Sequence, residues 1–145
     1  MQKPSEAPPV VVIGSANMDL VVRAPHVPRP GETVLGHSFA TIPGGKGANQ
    51  AVAVARLGAD CRFVARLGND AFGVRLLAGL KAVGVNCDHV SITEGIATGV
   101  ALIVVDELGE NAITVAGGAN TKLCIEDIEA AKPVIASAKV CLLQL

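Results

Sequence analysis

The 145-residue chain is half apolar, almost free of aromatic side chains, and balances 12 basic against 13 acidic residues, a composition that suits one globular domain with a core of Val, Ala, Leu and Ile. A net charge of −1 gives no basic field for nucleic acid or an anionic membrane surface, so neither is expected as a partner. No apolar run approaches the roughly 20 residues of a membrane span, and the first nine residues lack a signal-peptide core, which predicts a disordered tail over 1–9 and a cytoplasmic location.

Val10–Ile13 is a short continuous apolar run, the pattern of a strand buried on both faces of a parallel sheet. Ligands of open α/β sheets sit beyond the carboxyl ends of such strands, which puts Asn17 and Asp19 at a functional edge. From Met18 to Thr41 the chain is broken by Pro25, Pro28, Pro30, Gly31 and Gly36, predicting small antiparallel strands away from the main sheet. A helix from about Ala48 to Leu57, a strand Arg62–Leu67 and a helix Ala71–Val83 follow, with Gly58 and Gly84 as stops. This β-α-β alternation predicts a Rossmann-like, doubly wound α/β domain.

Thr98–Val105 and Asn111–Val115, joined through Asp106–Glu110, read as a hairpin able to join the earlier small strands. Val140–Leu145 reads as another buried parallel strand, which needs neighbours and cover on both faces. The expectation is therefore an N-terminal half. Cys61, Cys87, Cys124 and Cys141 are widely spaced, predicting reduced, mostly buried thiols and no metal site. His26, His37 and His89 are equally scattered and are expected on the surface or in loops.

Gly44-Gly45-Lys46-Gly47-Ala48-Asn49 opens the Ala/Val-rich helix. Glycines bare the main-chain N–H groups, and the helix start adds further unpaired donors and its positive dipole end, so an oxygen-rich ligand is the natural guest. A nucleotide P-loop is excluded because Gly47 replaces the Ser or Thr that must follow the lysine, and the dinucleotide fingerprint G-x-G-x-x-G is incomplete.

The longer pattern, Gly44 through Gln50 and Ala51, then Gly58 and Gly68, resembles the first signature of the ribokinase-like (PfkB) family of sugar kinases. The resemblance runs on through Gly14–Leu20, Pro28–Thr33, Gly68–Gly73, Thr98–Ala101 and Ala116–Asn120. It implies the N-terminal part, residues 10–145, of a ribokinase-like fold. A small β-sheet lid would lie within about 18–41 and 97–116, and often pairs with its twin in a homodimer. It implies ATP-dependent phosphorylation of D-ribose at the 5-hydroxyl, with other sugar or nucleoside kinases of the family as alternatives. A non-catalytic sugar-binding or dimerising fragment is the reading from a different class.

By the same resemblance Asp19 binds sugar hydroxyls with Asn17 beside it. Gly45, Lys46 and Asn49 donate to the sugar, and Gly44 shapes the loop. Ala101 and Ile103 either cover the ribose from the lid or pack as ordinary sheet residues. Asp70 is expected to cap the following helix, and Gly118–Asn120 to form a turn near the lid hinge. The family's catalytic base belongs to a Gly-Ala-Gly-Asp motif absent from this sequence and is expected beyond Leu145. The ATP, Mg2+ and K+ sites are expected there too. Gly58-Ala59-Asp60 is a decoy, since it follows a helix C-terminus where an oxyanion would be repelled.

Overall fold

The structure is a computed structural model that describes residues 8–144. Residues 1–7, most of the expected tail, and Leu145 lie outside the described residues. Val10–Ile13 forms β1 and Asn17–Arg23 forms β2, separated by the turn Gly14–Ala16. Ser38–Gly44 (β3) leads through Gly45 into Lys46–Arg56 (α1), and Cys61–Gly68 (β4) is followed by Ala71–Ala82 (α2) and Asn86–Thr93 (β5). Gly99–Val105 (β6) and Asn111–Ala116 (β7) form the hairpin. A 3-10 helix Gly118–Lys122, the helix Ile125–Ser137 (α3) and Val140–Leu143 (β8) complete the described elements.

The main sheet has the order β5-β4-β1-β8 and is parallel throughout. Because side chains alternate along a strand, β1 serves two cores at once. Val12 joins Phe63, Ala65 and Leu67 of β4 under Ala48 and Ala51 of α1 and Leu76 and Leu80 of α2. Val11 and Ile13 meet Val64 and Ala131 of α3 on the opposite face. Helices cover both faces, so the doubly wound reading stands.

The second sheet has the order β3-β2-β6-β7. Its hairpins are antiparallel but its central pair, β2 with β6, is parallel, which corrects the expectation of purely antiparallel strands. One face is rooted in the main core by buried Met18 with Leu20 and Val100.

Several sequence expectations shift. The first helix begins at Lys46 rather than Ala48, which puts the lysine on its first turn. β8 is parallel as expected but lies at the sheet edge with Val140 and Cys141 exposed and Leu143 68% accessible, so it is not buried as it stands. Cys61 and Cys87 are buried, Cys124 is half-buried and Cys141 exposed, and all four are free thiols. His26 and His37 are exposed beside Glu32 and Glu107, whereas His89 is half-buried within β5. Asp60, the decoy carboxylate, is bound by Arg62 at 2.8 Å. No described helix is long and apolar enough to cross a membrane.

Candidate functional site

Strand register builds the site. Directly paired residues project to the same side of a sheet, so Ile42, Asp19, Ala101 and Val115 form one row across the four strands. Ala40, Val21, Ile103 and Ile113 form the next row on that face, and Gly44, Asn17 and Gly99 the row nearest the main sheet. The two-residue spacing of Asn17 and Asp19 is thus what puts both polar groups on one face.

That face and the start of α1 enclose a cavity of about 420 Å³ lined by Asn17, Asp19, Gly45, Lys46, Asn49, Ala101 and Ile103. Seven of the eight residues expected in the site therefore meet. Gly44 does not line this cavity; it borders an apolar pocket of about 350 Å³ behind the loop, between α1 and α2. Its place is nonetheless dictated by the site, because a Cβ there would lie 2.6 Å from Asp19 Cγ. Gly45 has φ 93° and sits so close to Ala16 and Asn17 that a Cβ would come within 2.7 Å of their main-chain atoms. Only glycine allows this conformation and this approach.

Some polar groups in the cavity are unspent. Asp19 is half-buried, its carboxylate makes no ion pair or hydrogen bond among the described residues, and burial raises its carboxyl above the usual range. Lys46 and Asn49 are exposed into the opening, and Lys46 has no acidic partner among the described residues. At the helix start, Ala48 N–H donates to Ser15 C=O at 2.9 Å. The N–H groups of Gly45, Lys46 and Gly47 find no such acceptor among the described residues, as expected for the first turn of a helix without a side-chain cap. An acceptor of charge −1 therefore faces a cluster of donors across a space of small-molecule size.

Sequence reasoning missed part of the wall. Ser15, Ile113, Val115, Gly117, Asn120 and Gln144 also line the cavity. Ser15 Oγ donates to Gln144 Oε1 at 2.6 Å, across 129 positions of chain, and no local pattern signals such a pair. Asn120 belongs to the 3-10 helix rather than a simple turn, and its carboxamide reaches Ala16 and Asn17. Asp70 does cap α2, accepting from Gly73 N–H at 2.8 Å. It also takes Thr98 N–H and Oγ1, each at 2.7 Å, and so pins the start of β6. Burial tends to lift its carboxyl, but the hydrogen bonds from Thr98 and Gly73 outweigh that and hold it below the usual range.

Residues 7–144 match the model of the pfkB family carbohydrate kinases. The chain belongs to this family. It is 46% identical over 142 residues to a ribokinase of Schizosaccharomyces pombe, an alignment covering 94% of this chain and 45% of that protein. With a ribokinase of Bacillus subtilis it shares 52% identity over 111 residues, covering 77% of this chain and 38% of the other. The structure of Arabidopsis thaliana ribokinase complexed with ribose and ATP is similar at a TM-score of 0.81 and 38% identity, covering 95% of this chain and 45% of that one. This pfkB-family chain thus spans under half the length of these relatives.

Proposed function

We propose that the chain is the sugar-binding portion of an ATP-dependent ribokinase, which converts D-ribose to ribose 5-phosphate by phosphorylating the 5-hydroxyl. The observation that carries this reading is the half-buried, unpartnered Asp19 carboxylate facing donors across the 420 Å³ cavity. A neutral polyol needs that combination, because each hydroxyl both donates and accepts. Asp19 accepts from two adjacent hydroxyls with charge-assisted strength, while Asn17, Lys46, Asn49 and the Gly45 N–H donate to the sugar oxygens. Ala101 and Ile103, one row apart on the same sheet face, act as a lid that lays apolar cover over the sugar and excludes water. The cavity lies toward the lower end of the roughly 300–1,000 Å³ range of small-molecule sites, which favours a monosaccharide, and the ribokinases among the relatives favour ribose.

Phosphoryl transfer also needs a base, metal ions and a nucleotide pocket. Among the described residues no three of His, Cys, Asp and Glu gather as a metal site, and an Asp19 carboxylate would repel a triphosphate. The residues here do not fit these groups. ATP, Mg2+, K+ and the catalytic base belong, in this proposal, to the additional length that the relatives possess, in a cytoplasmic enzyme. The sugar-side face of the second sheet also carries more apolar surface than a sugar covers, with Ile113 and Val115 54% and 58% exposed. We assign the excess to a second copy of the protein in a homodimer.

The test is ribose-dependent ADP formation by the longer protein containing this chain. Asp19→Ala should lower kcat/KM for ribose on the order of a hundredfold or more. Unchanged turnover by Asp19→Ala would remove Asp19 from the site. A preference for nucleosides would move the assignment within the family, and sugar binding without transfer would leave a binding module.

A further inference from the structure

We infer that Asn120 is a positioning residue that locks the Asn17 carboxamide in one of its two orientations, so that the site offers the sugar a donor at that point and not an acceptor. This role presupposes the sugar-binding reading of the cavity. It follows from hydrogen bonds whose polarity is set by the backbone. Asn120 Oδ1 accepts from Ala16 N–H at 2.9 Å, and Asn120 Nδ2 donates to Ala16 C=O at 3.1 Å. A main-chain N–H cannot accept and a carbonyl cannot donate, so the Asn120 amide has one permitted orientation.

Its remaining Nδ2 hydrogen goes to Asn17 Oδ1 at 2.8 Å. Turning the Asn17 amide over would set one NH2 group against another, so Oδ1 stays at the wall. Asn17 Nδ2 is then left without a protein acceptor among the described residues, at the edge of the cavity that Asn17 lines. Room for the bond exists because Gly99 is the register partner of Asn17 on β6, and a Cβ there would run into both Asn120 Nδ2 and Asn17 Oδ1.

With Asp19 two residues further along the same face, the pair reads a fixed polarity. A sugar hydroxyl oxygen accepts from Asn17, and a hydroxyl hydrogen is given to Asp19. Asn120 specifies this arrangement through Asn17, from a position 103 residues away in the chain.

The experiment is calorimetric titration of D-ribose, with steady-state kinetics, on the longer protein as wild type, Asn120→Asp, Asn17→Ala and the double variant. An aspartate at 120 still accepts from Ala16 N–H but can donate neither to Ala16 C=O nor to Asn17, which must swing its NH2 to the wall and its oxygen to the cavity. Asn120→Asp should weaken ribose about tenfold. The KM for ATP should be unchanged and kcat should move by less than about threefold, the pattern of lost uniform binding. In the Asn17→Ala background the same change should have no further effect on ribose affinity. An equal loss in both backgrounds would make Asn120 merely structural and overturn the inference. Should Asn120→Asp fail to fold, the wild-type Asn17 side-chain amide resonances decide the matter. They should shift on ribose saturation, and unshifted signals with ribose bound would overturn it. A wild type that binds no ribose overturns the sugar site itself, and this inference with it, an outcome distinct from bound ribose with additive variants.

Discussion

Replacing Gly44 with alanine should separate binding from folding. Gly44 does not have a positive φ, so the backbone accepts an L-residue, and the new methyl meets chiefly the Asp19 carboxylate, with Cγ at 2.6 Å and Oδ1 at 2.7 Å. A short, half-buried side chain escapes by rotating, at a cost to stability of about 1 kcal/mol. What is lost is the direction of the carboxylate. One hydrogen bond to a charged group is worth about 1.5–3 kcal/mol, so ribose affinity should fall about 10- to 150-fold. Gly45→Ala provides the contrast, since its Cβ would press on main-chain atoms of Ala16 and Asn17 at 2.7 Å with φ already at 93°. That variant should lose the fold around the loop as well as the ligand. Titration calorimetry with ribose and thermal melts on the longer protein read the two effects separately, and in an Asp19→Ala background Gly44→Ala should have no further effect on binding. A Gly44→Ala protein with wild-type affinity would refute the reasoning, because Asp19 would then be free to move without consequence.

The raised Asp19 carboxyl means that the folded state holds its charge less readily than the unfolded one, so the charge costs stability above both pKa values and the cost fades as pH falls through the folded value. Asp19→Asn should therefore raise the melting temperature near neutral pH while weakening ribose, and wild-type ribose affinity should decline on acidification at a higher pH than an ordinary aspartate would give. Asp127 has the opposite sign. Burial tends to lift it, but hydrogen bonds from Arg66, Cys124 and Ser91 prevail and lower it from 3.8 to about 2. It contributes about 2 kcal/mol of stability that is present above 3.8 and lost as pH falls through about 2, and Asp127→Asn should reduce denaturant stability by about that amount at pH 7. An aromatic disulfide reagent should modify Cys141 of this chain well before buried Cys61, whose thiol burial pushes up to about 11; equal rates would contradict the exposed edge.

What the sequence reveals of this fold is what lies within one element. The apolar run of β1, the glycine stops after α1 and α2, the hairpin of β6 and β7 and the Asp70 cap are all local signals, and each corresponds to an observed feature. β5 is not legible in the sequence because Asn86–Thr93 carries Asn, Asp, His and Ser and has few apolar positions to mark a strand. α3 is disguised by Pro133 in its interior, which reads as a break. Besides its apolar packing, it is tied to the sheet by the part-buried ion pair of Asp127 with Arg66, 61 positions away. Cys141 and Leu143 have the composition of a buried strand, but their burial depends on a neighbour that no described element supplies.

The same division runs through the site. The motif residues Asn17, Asp19, Gly45, Lys46 and Asn49 are legible because the loop and strand that carry them are contiguous or nearly so. Their polarity is not. Which end of the Asn17 amide faces the cavity is decided by Asn120 and by the Ala16 backbone, through contacts that join β2 and the segment before it to a 3-10 helix far along the chain. The candidate groups of the proposed site are therefore named locally, whereas the fold decides which of them accept and which donate. In the proposed sugar site, chemical discrimination between one hydroxyl pattern and another would reside in that second, non-local step.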